Sequence, residues 1–314
     1  MSTPTCTEEE FIRLFEKHKS ISVVSEILGT TIRSAMSRRV SIEKRLGISL
    51  RVDDPTVHNP HDGFEIQLEI QDGVILAGSD AHYWPGVVTT AHRAFVHLAK
   101  KLKPDAIVLN GDVFDGASVS RHPKIRWEAR PNVAQELEAV VERLSEIEKV
   151  APKRCRLIRT RGNHDDRYES RLSMTSPEYE GVAGTTLKEH LPRWLESLAI
   201  RVNEDELQML HNDHNGIHAA YNNTLKGGIS VCTGHLHALQ VTAWSDLRGC
   251  RWGIDCGTLA DTHGVQFGYM GARRRNWRSG FAVLTFRNGK LLYPELVHVV
   301  DEGVVSFRGE LIEV

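Results

Sequence analysis

The sequence offers no framework of cross-links. Its five cysteines (Cys6, Cys155, Cys232, Cys250 and Cys256) are odd in number, far apart and without a CxxC pair. That argues against a disulfide scaffold or a zinc finger and favours a reducing cytoplasm. Long apolar runs are missing: none approaches the roughly 18 residues of a membrane span. The polar, acidic stretch from Met1 to Glu10 does not read as a signal peptide. An excess of one charge is also absent, with 39 Lys and Arg against 41 Asp and Glu. The whole surface is therefore no attractor of nucleic acid, although local patches are not excluded. There is no GxSxG, no GxxxxGK[ST] and no GxGxxG ahead of a helix, which removes the commonest serine-hydrolase, P-loop and dinucleotide signatures. No internal repeat or low-complexity tract occurs. The chain does have 40% hydrophobic residues, enough to exclude disorder over most of its length. Its 314 residues allow about two domains. It also has 16 histidines against only 11 prolines and 6 tyrosines, and histidine is the commonest metal ligand.

The first fifty residues contain no strand-like run and read as helices over Glu8 to Lys17, Val23 to Leu28 and Thr31 to Leu46. Phe11, Ile12, Leu14 and Phe15 fall on one face of the first helix, and Ser20 and Ser22 are candidate caps for the second. Gly29 sits in the short connection to the third, giving the helix-turn-helix pattern. Ile32, Ala35 and Met36 are expected to form the buried stripe of that third helix. From Thr31 to Arg51 six basic residues (Arg33, Arg38, Arg39, Lys44, Arg45 and Arg51) stand against one acid, Glu43, a local charge of +5. Such a helix can reach phosphates or base edges, or it can be a solvated basic face.

Residues 51–63, rich in Asp, Pro, His and Asn, read as a linker. From residue 64 to 314, strands and helices alternate, an α/β pattern with a late all-β section. Phe64 to Ile70 and Gly73 to Gly78 are expected to form a hairpin around Gln71 and Asp72. Helices near Thr89 to Leu102 and Pro131 to Val150 alternate with strands Ala106 to Leu109 and Arg156 to Arg159. Turns are expected at Asn288–Gly289 and Glu302–Gly303.

Five short motifs follow apolar runs. Asp80 and His82, two apart at a strand exit, can turn toward one ion, and an oxygen–nitrogen pair suits Mn²⁺, Fe or Zn²⁺. Asp112, in Asn110-Gly111-Asp112-Val113-Phe114-Asp115, has two oxygens and can bridge two cations, and Asp115 is a candidate acceptor for orienting a histidine. In Gly162-Asn163-His164-Asp165, Asn163 offers a neutral metal-binding oxygen and His164, beside Asp165, is a candidate proton donor. His211 ends the run Glu206 to Leu210 and is favoured over His214 and His218, because a ligand at a strand end is held by the sheet. His235 and His237, next to Gly234, can present nitrogens to two neighbouring ions. Each motif taken singly is also a plausible surface turn. All five occur in order, each behind an apolar run.

This series of DxH, GDxxD, GNHD, a strand-end His and GHxH resembles the calcineurin-like metallophosphoesterase superfamily over roughly Gly73 to Thr258. The resemblance implies a two-sheet β-sandwich flanked by helices. It implies two divalent metal ions, Mn²⁺ foremost, with Fe, Zn²⁺ or Mg²⁺ as alternatives. Asp80, His82 and His237 would hold one ion, Asn163, His211 and His235 the other, and Asp112 would bridge. His164, supported by Asp115 or Asp165, would contact the phosphoryl oxygen or protonate the leaving oxygen. Two ions would neutralise the anionic ester and make hydroxide available near neutral pH. The pattern departs from many members at Asn212 after His211 and at Leu236 inside GHxH. A helical unit ahead of a compact phosphoesterase also resembles phage or prophage phosphoesterases, which would place the protein in a host cytoplasm.

The superfamily does not choose a substrate. Three features favour nucleic acid, DNA foremost: the front helices, the segment Arg273-Arg274-Arg275 with Trp277 and Arg278, and the basic loop from Arg121 to Arg130 after GDxxD. The expected activity is a nuclease or nucleic-acid end-processing phosphodiesterase. The alternative is a phosphomonoesterase on phosphoprotein or nucleotide, with the helices as a docking module. Oligomeric state is left open.

Overall fold

A computed structural model describes residues 6–18, 21–48, 50, 65–124, 127–271 and 275–314. The chain divides into two compact units, Met1–Asp62 and Gly63–Val314. The expected linker, residues 51–63, lies outside the described residues, as do Arg273 and Arg274.

The first unit comprises helices α1 (Glu8–His18), α2 (Ile21–Ile27) and α3 (Ile32–Leu46). Three acids open α1 and Lys17 and His18 close it, matching the helix dipole. Gly29, between α2 and α3, takes a left-handed φ of 59° that suits glycine. Thr31 caps α3 by accepting from the Ser34 backbone N–H at 3.2 Å. Phe11, Phe15, Ile21, Val24, Ala35, Ile42 and Leu50 form the core. The expected stripe of Ile32, Ala35 and Met36 is corrected: only Ala35 is buried, while Ile32 and Met36 are about half exposed. Helical spacing permits either face, and packing against Phe11 and Phe15 selects the one carrying Ala35 and Ile42.

The second unit begins with β1 (Glu65–Leu68), β2 (Gly73–Gly78), α4 (Thr90–Leu102), β3 (Ala106–Asn110), α5 (Val133–Val150) and β4 (Arg156–Thr160). It continues through α6 (Asp166–Thr175), α7 (Leu187–His190), β5 (Leu195–Ser197), β6 (Ala199–Val202), β7 (Leu207–Leu210), α8 (Ala219–Gly227) and β8 (Ser230–Thr233). Then come β9 (Gln240–Asp246), β10 (Gly249–Asp255), β11 (Gly280–Arg287), β12 (Lys290–Leu291), β13 (Glu295–Asp301), β14 (Val304–Phe307) and β15 (Glu310–Glu313). Among the described residues, one six-stranded sheet runs β1-β6-β7-β8-β10-β9. The other, nine-stranded, runs β15-β14-β13-β11-β2-β3-β4-β5, with β12 beside β11.

Side chains alternate across the central strands and so build two cores. Ile75, Ala77, Ala106 and Val108 point between the sheets, where they meet Ile200, Val202, Met209 and Ile254. Leu76, Ile107 and Leu109 point the other way, onto Phe95 and Leu98 of α4 and Val140 and Leu144 of α5. Burial on both faces explains why β2 and β3 read as continuous apolar runs. Helix α8 packs on β8, β9 and β10, where Thr224 donates to the Trp252 carbonyl at 2.8 Å. The result is a two-sheet sandwich flanked by helices.

The expected hairpin is corrected. β1 pairs in parallel with β6, whereas β2 lies between β11 and β3 in the other sheet. The chain crosses between sheets at residues 69–72, where Asn203 receives the Ile70 N–H and donates to the Ile70 carbonyl. Asn288–Gly289 does form a two-residue turn, between β11 and β12, and Glu302–Gly303 turns β13 into β14.

Candidate metal centre

All five motifs emerge from the C-terminal ends of β2, β3, β4, β7 and β8, where the two sheets present one shared edge. The backbone there is unusual. Asp80, His82, Asp112, His235 and His237 have positive φ values of 40–66°, a region sparsely used by non-glycine residues. In these conformations the short loops turn back over the strand ends. Asp80 N–H donates to the Gly111 carbonyl at 3.0 Å and His82 N–H to the Asp112 carbonyl at 2.9 Å, tying the first two motifs together.

The side chains converge into overlapping groups, each with ligand atoms within 4.8 Å of one another: Asp80, His82 and His237; His82, Asp112 and His164; Asp112, His211 and His235. Asp80 Oδ1 is 3.1 Å from His237 Nε2 and 3.9 Å from His82 Nε2. Asp112 Oδ2 is 4.0 Å from His82 Nε2 and 3.2 Å from His211 Nε2, so this carboxylate lies between the two groups. Asn163 Oδ1 is 3.2 Å from His211 Nε2. His214 is directed elsewhere, onto Asn223 and Lys226, and His218 is exposed at the start of α8.

Two observations show that this donor set fits divalent ions. His82 donates from Nδ1 to Asp115 Oδ1 at 2.9 Å, which leaves Nε2 as a buried nitrogen without a hydrogen-bond partner, facing two carboxylates. His211 likewise bonds the Asn110 carbonyl through Nδ1 at 2.8 Å, turning Nε2 to the cluster. Such outer partners fix the tautomer a metal needs. The second is electrostatic. Burial would lower the His211 pKa, but the Asp112 and Asp80 charges raise it to about 10. A proton on His211 thus stands where a cation's charge belongs. Burial disfavours ionised Asp112, yet His211 and the other rings hold its pKa well below the usual range. His82 and His235 are pushed below their ordinary value, chiefly by burial, and so stay neutral. His237 Nδ1 is also buried without a partner.

His164 lies at the rim. Its Nδ1 is 2.9 Å from the Asp115 carbonyl and 3.2 Å from Asp115 Oδ1. Burial lowers its pKa, but the Asp115 bond and the Asp112 charge outweigh it and leave the pKa raised. Of the two acids considered as its support, Asp115 makes the contact. Asp165, its neighbour in sequence, instead accepts from the backbone N–H groups of Asp112, Val113, Phe114 and Gly162 at 2.9–3.1 Å. It shapes the Asp112 loop and does not touch the His164 ring.

Three further residues complete the site. Asn110, fully buried, donates to the Leu210 and Cys232 carbonyls and accepts from Thr160, joining strands of both sheets beneath the ligands. A polar residue ending an apolar strand was its visible signal. Thr258 donates to the Asp80 carbonyl at 2.6 Å. Arg167, three residues after His164 at the start of α6, donates to the Asp115 carbonyl and to His164 Nε2, both at 2.8 Å. Glycine is required where the motifs touch: a Cβ at Gly162 would lie 2.8 Å from Asp112 Cγ, and one at Gly111 would lie 2.6 Å from His211 Cγ.

The candidate nucleic-acid residues divide. Arg38 stacks on Phe11 and bonds the Cys6 carbonyl, Arg39 stacks on Phe15 and pairs with Glu43, and Arg45 pairs with Glu8. Arg33 and Lys44 are exposed. Arg275 stacks on Trp277 at 5.0 Å, and Trp277 in turn lies 4.5 Å from the His237 ring.

Residues 73–249 match the calcineurin-like phosphoesterase family. The chain belongs to that family, whose members use a dinuclear divalent metal centre. A phage protein, the gene 54 protein of Mycobacterium phage L5, is 33% identical over 99 residues, which are 30% of this chain and 37% of that protein. Among solved structures, zinc-complexed Vps29 from Entamoeba histolytica is similar at 12% identity, with 76% of this chain and 98% of that chain covered and a TM-score of 0.41. The nuclease MPE of Pseudomonas putida is similar at 13% identity, covering 70% and 86%, with a TM-score of 0.31. No helix among the described residues is long and apolar enough to cross a membrane.

Proposed function

We propose that this calcineurin-like phosphoesterase hydrolyses phosphodiesters of nucleic acid, as a nuclease or end-processing enzyme. The observation that carries this reading is a pair of cavities of about 490 and 480 Å³ that share Asn163, His122 and Arg167 beside the ligand cluster. A diester has substituents on both sides of phosphorus, and a monoester needs only one. The second cavity is lined by Arg121, Arg167 and Arg171, cations suited to further phosphates along a strand. Exposed Arg33 and Lys44 on α3 support a nucleic-acid role for the first unit.

Asp80, His82 and His237 would hold one divalent ion and Asn163, His211 and His235 the other, with Asp112 between them. Bound there, the ions would supply Lewis-acid charge neutralisation and a water of lowered pKa. The remaining work falls to the chain. Two anionic ligands keep the pocket's net charge positive for a phosphoester. In the ligand-free chain Arg167 donates to His164 Nε2, so the ring proton sits on Nδ1. An ester oxygen arriving between them would draw the guanidinium onto itself. Nε2 would then be open to carry a proton, which Asp115 and Asp112 favour, and pass it to the leaving oxygen.

The test is a panel of bis(4-nitrophenyl) phosphate, 4-nitrophenyl phosphate, single- and double-stranded DNA, and RNA, with Mn²⁺, Fe²⁺, Zn²⁺ and Mg²⁺. Diester turnover at least tenfold above monoester turnover, with nucleic-acid cleavage, is expected. Arg33→Glu with Lys44→Glu should weaken DNA binding and spare the small diester. Cleavage of monoesters alone would overturn the reading.

A further inference from the structure

The first of the two cavities contains features that phosphate chemistry does not use. Its lining includes His164 and Arg167 and also Trp84, Gln266 and Tyr269. Gln266 is 5% exposed, and its Oε1 is buried without a hydrogen-bond partner. Buried amide oxygens are normally satisfied, so one that is not calls for a ligand or another explanation. Gly264 makes room for this amide, whose oxygen lies against it: a Cβ there would come closest to Gln266 Oε1 and would lie 2.9 Å from both Cδ and Nε2. The turn Val265–Met270 is anchored, because buried Phe267 packs edge-on against His82 at 5.2 Å and against Trp277 at 5.1 Å. Tyr269, on the same turn, is half exposed. The cavity's carboxylates are already engaged, Asp115 by His82 and His164 and Glu128 by Arg130.

We propose that this cavity is a nucleoside subsite, in which Gln266 pairs with the base edge and Tyr269 stacks on the ring. The inference rests on the phosphodiester reading and names what one ester arm carries. The volume falls in the range of small-molecule sites, about 300–1,000 Å³. An amide presents one acceptor and two donors in a plane, the pattern that matches the donor and acceptor on an adenine edge. An aliphatic alcohol arm, as in a phosphoserine peptide or a glycerol ester, has no planar face for Tyr269 and no paired edge for Gln266. Arg167 lines both this cavity and the second one, so it is at hand for the anion that such a ring carries.

The test is binding of adenosine, with ribose as the comparison, to the full chain with and without Mn²⁺ by titration calorimetry. Adenosine should bind at least tenfold more tightly than ribose. Gln266→Leu and Tyr269→Ala should each reduce adenosine binding about tenfold, while Tyr269→Phe, which keeps the ring, should retain it and so exclude simple misfolding. Failure of adenosine to bind the wild type, or unchanged binding in both variants, would overturn the subsite. Turnover of bis(4-nitrophenyl) phosphate by the wild type reports separately on the phosphodiester reading: cleavage without adenosine selectivity rejects the subsite alone. Absence of diester cleavage rejects the reading on which it rests.

Discussion

Replacing Gly162 with alanine tests whether the site depends on how closely the motif loops touch. The added Cβ would sit 2.8 Å from Asp112 Cγ, where ordinary contact begins at 3.4 Å, so the carboxylate must move by at least 0.6 Å. Little around it can yield. Asp112 Oδ1 is bonded by the His164 N–H at 2.7 Å, and the loop is pinned by Asp165 and by the His82 N–H. Metal–ligand distances tolerate about ±0.2 Å, and a misplacement near 1 Å can cost about 100-fold in rate. The variant should bind Mn²⁺ at least tenfold more weakly and turn over a diester about 100-fold more slowly. Overpacking should cost the metal-free fold roughly 1–3 kcal/mol. Gly181→Ala is the control: its φ is +76° with nothing within 4 Å, so it carries backbone strain without occlusion and should keep wild-type metal content. Metal-to-protein ratio after dialysis, calorimetry and diester kinetics read these out. A Gly162→Ala protein that holds two ions at wild-type affinity and turns over within twofold of wild type would refute the reasoning.

Asn110→Leu strips the donor from the Leu210 and Cys232 carbonyls and the acceptor from Thr160. It should lower unfolding free energy by about 2–5 kcal/mol in denaturant titration, and an unchanged midpoint would reject the bridging role. His211, raised to about 10 without metal, stays protonated at pH 8 and must lose that proton to bind an ion. Mn²⁺ titrations in buffers of different ionisation enthalpy should therefore show release of about one proton per chain, absent in His211→Asn. Burial pushes Asp255 up to about 7, so the folded chain binds its proton more tightly than the unfolded chain does. Its contribution to stability is therefore favourable at low pH and lost as pH rises from about 4 through 7. Asp255→Asn in metal-free protein should be more stable than wild type at pH 8, by about 4 kcal/mol at most, and lose more than half of that advantage at pH 5. Equal differences at both pH values would exclude the titration.

The parts of the fold that can be read from sequence are those set by neighbours along the chain. Apolar runs punctuated by Asp, Gly and His locate the ends of β2, β3, β4, β7 and β8, and therefore the loops that carry the candidate ligands. Period locates the three front helices to within a few residues, whereas Ser22, a candidate cap for the second, lies inside α2 and Ser20 is outside the described residues. Pairing over long separations is different. Nothing local states that β1 joins β6, so two adjacent runs around Gln71–Asp72 look like a hairpin although they belong to opposite sheets. The same limit explains the acids near His164. Asp165 is adjacent in sequence but is directed onto four backbone amides, whereas Asp115, distant in sequence, reaches both His82 and His164. On α3, the period fits two faces, and only the positions of Phe11 and Phe15 show that Ala35 and Ile42 go inside.

Backbone conformation at the candidate ligands links the two levels. A left-handed residue other than glycine costs roughly 1–2 kcal/mol, and the centre holds five of them in Asp80, His82, Asp112, His235 and His237. Their sum is comparable with the 5–15 kcal/mol by which a whole domain is stable. Asp165 offsets part of it through four charge-assisted bonds, and Thr258 and Asn110 offset more through the Asp80, Leu210 and Cys232 carbonyls. Buried carboxylates facing one another add a further penalty, met in part by the His211 proton and by the backbone N–H groups of His164 and His235, which donate to Asp112 and Asp80. Two divalent ions would replace that single charge with four. The repulsion built into the strand ends is thus of the sign that metal binding relieves, which couples the stability of this edge of the sandwich to its occupancy.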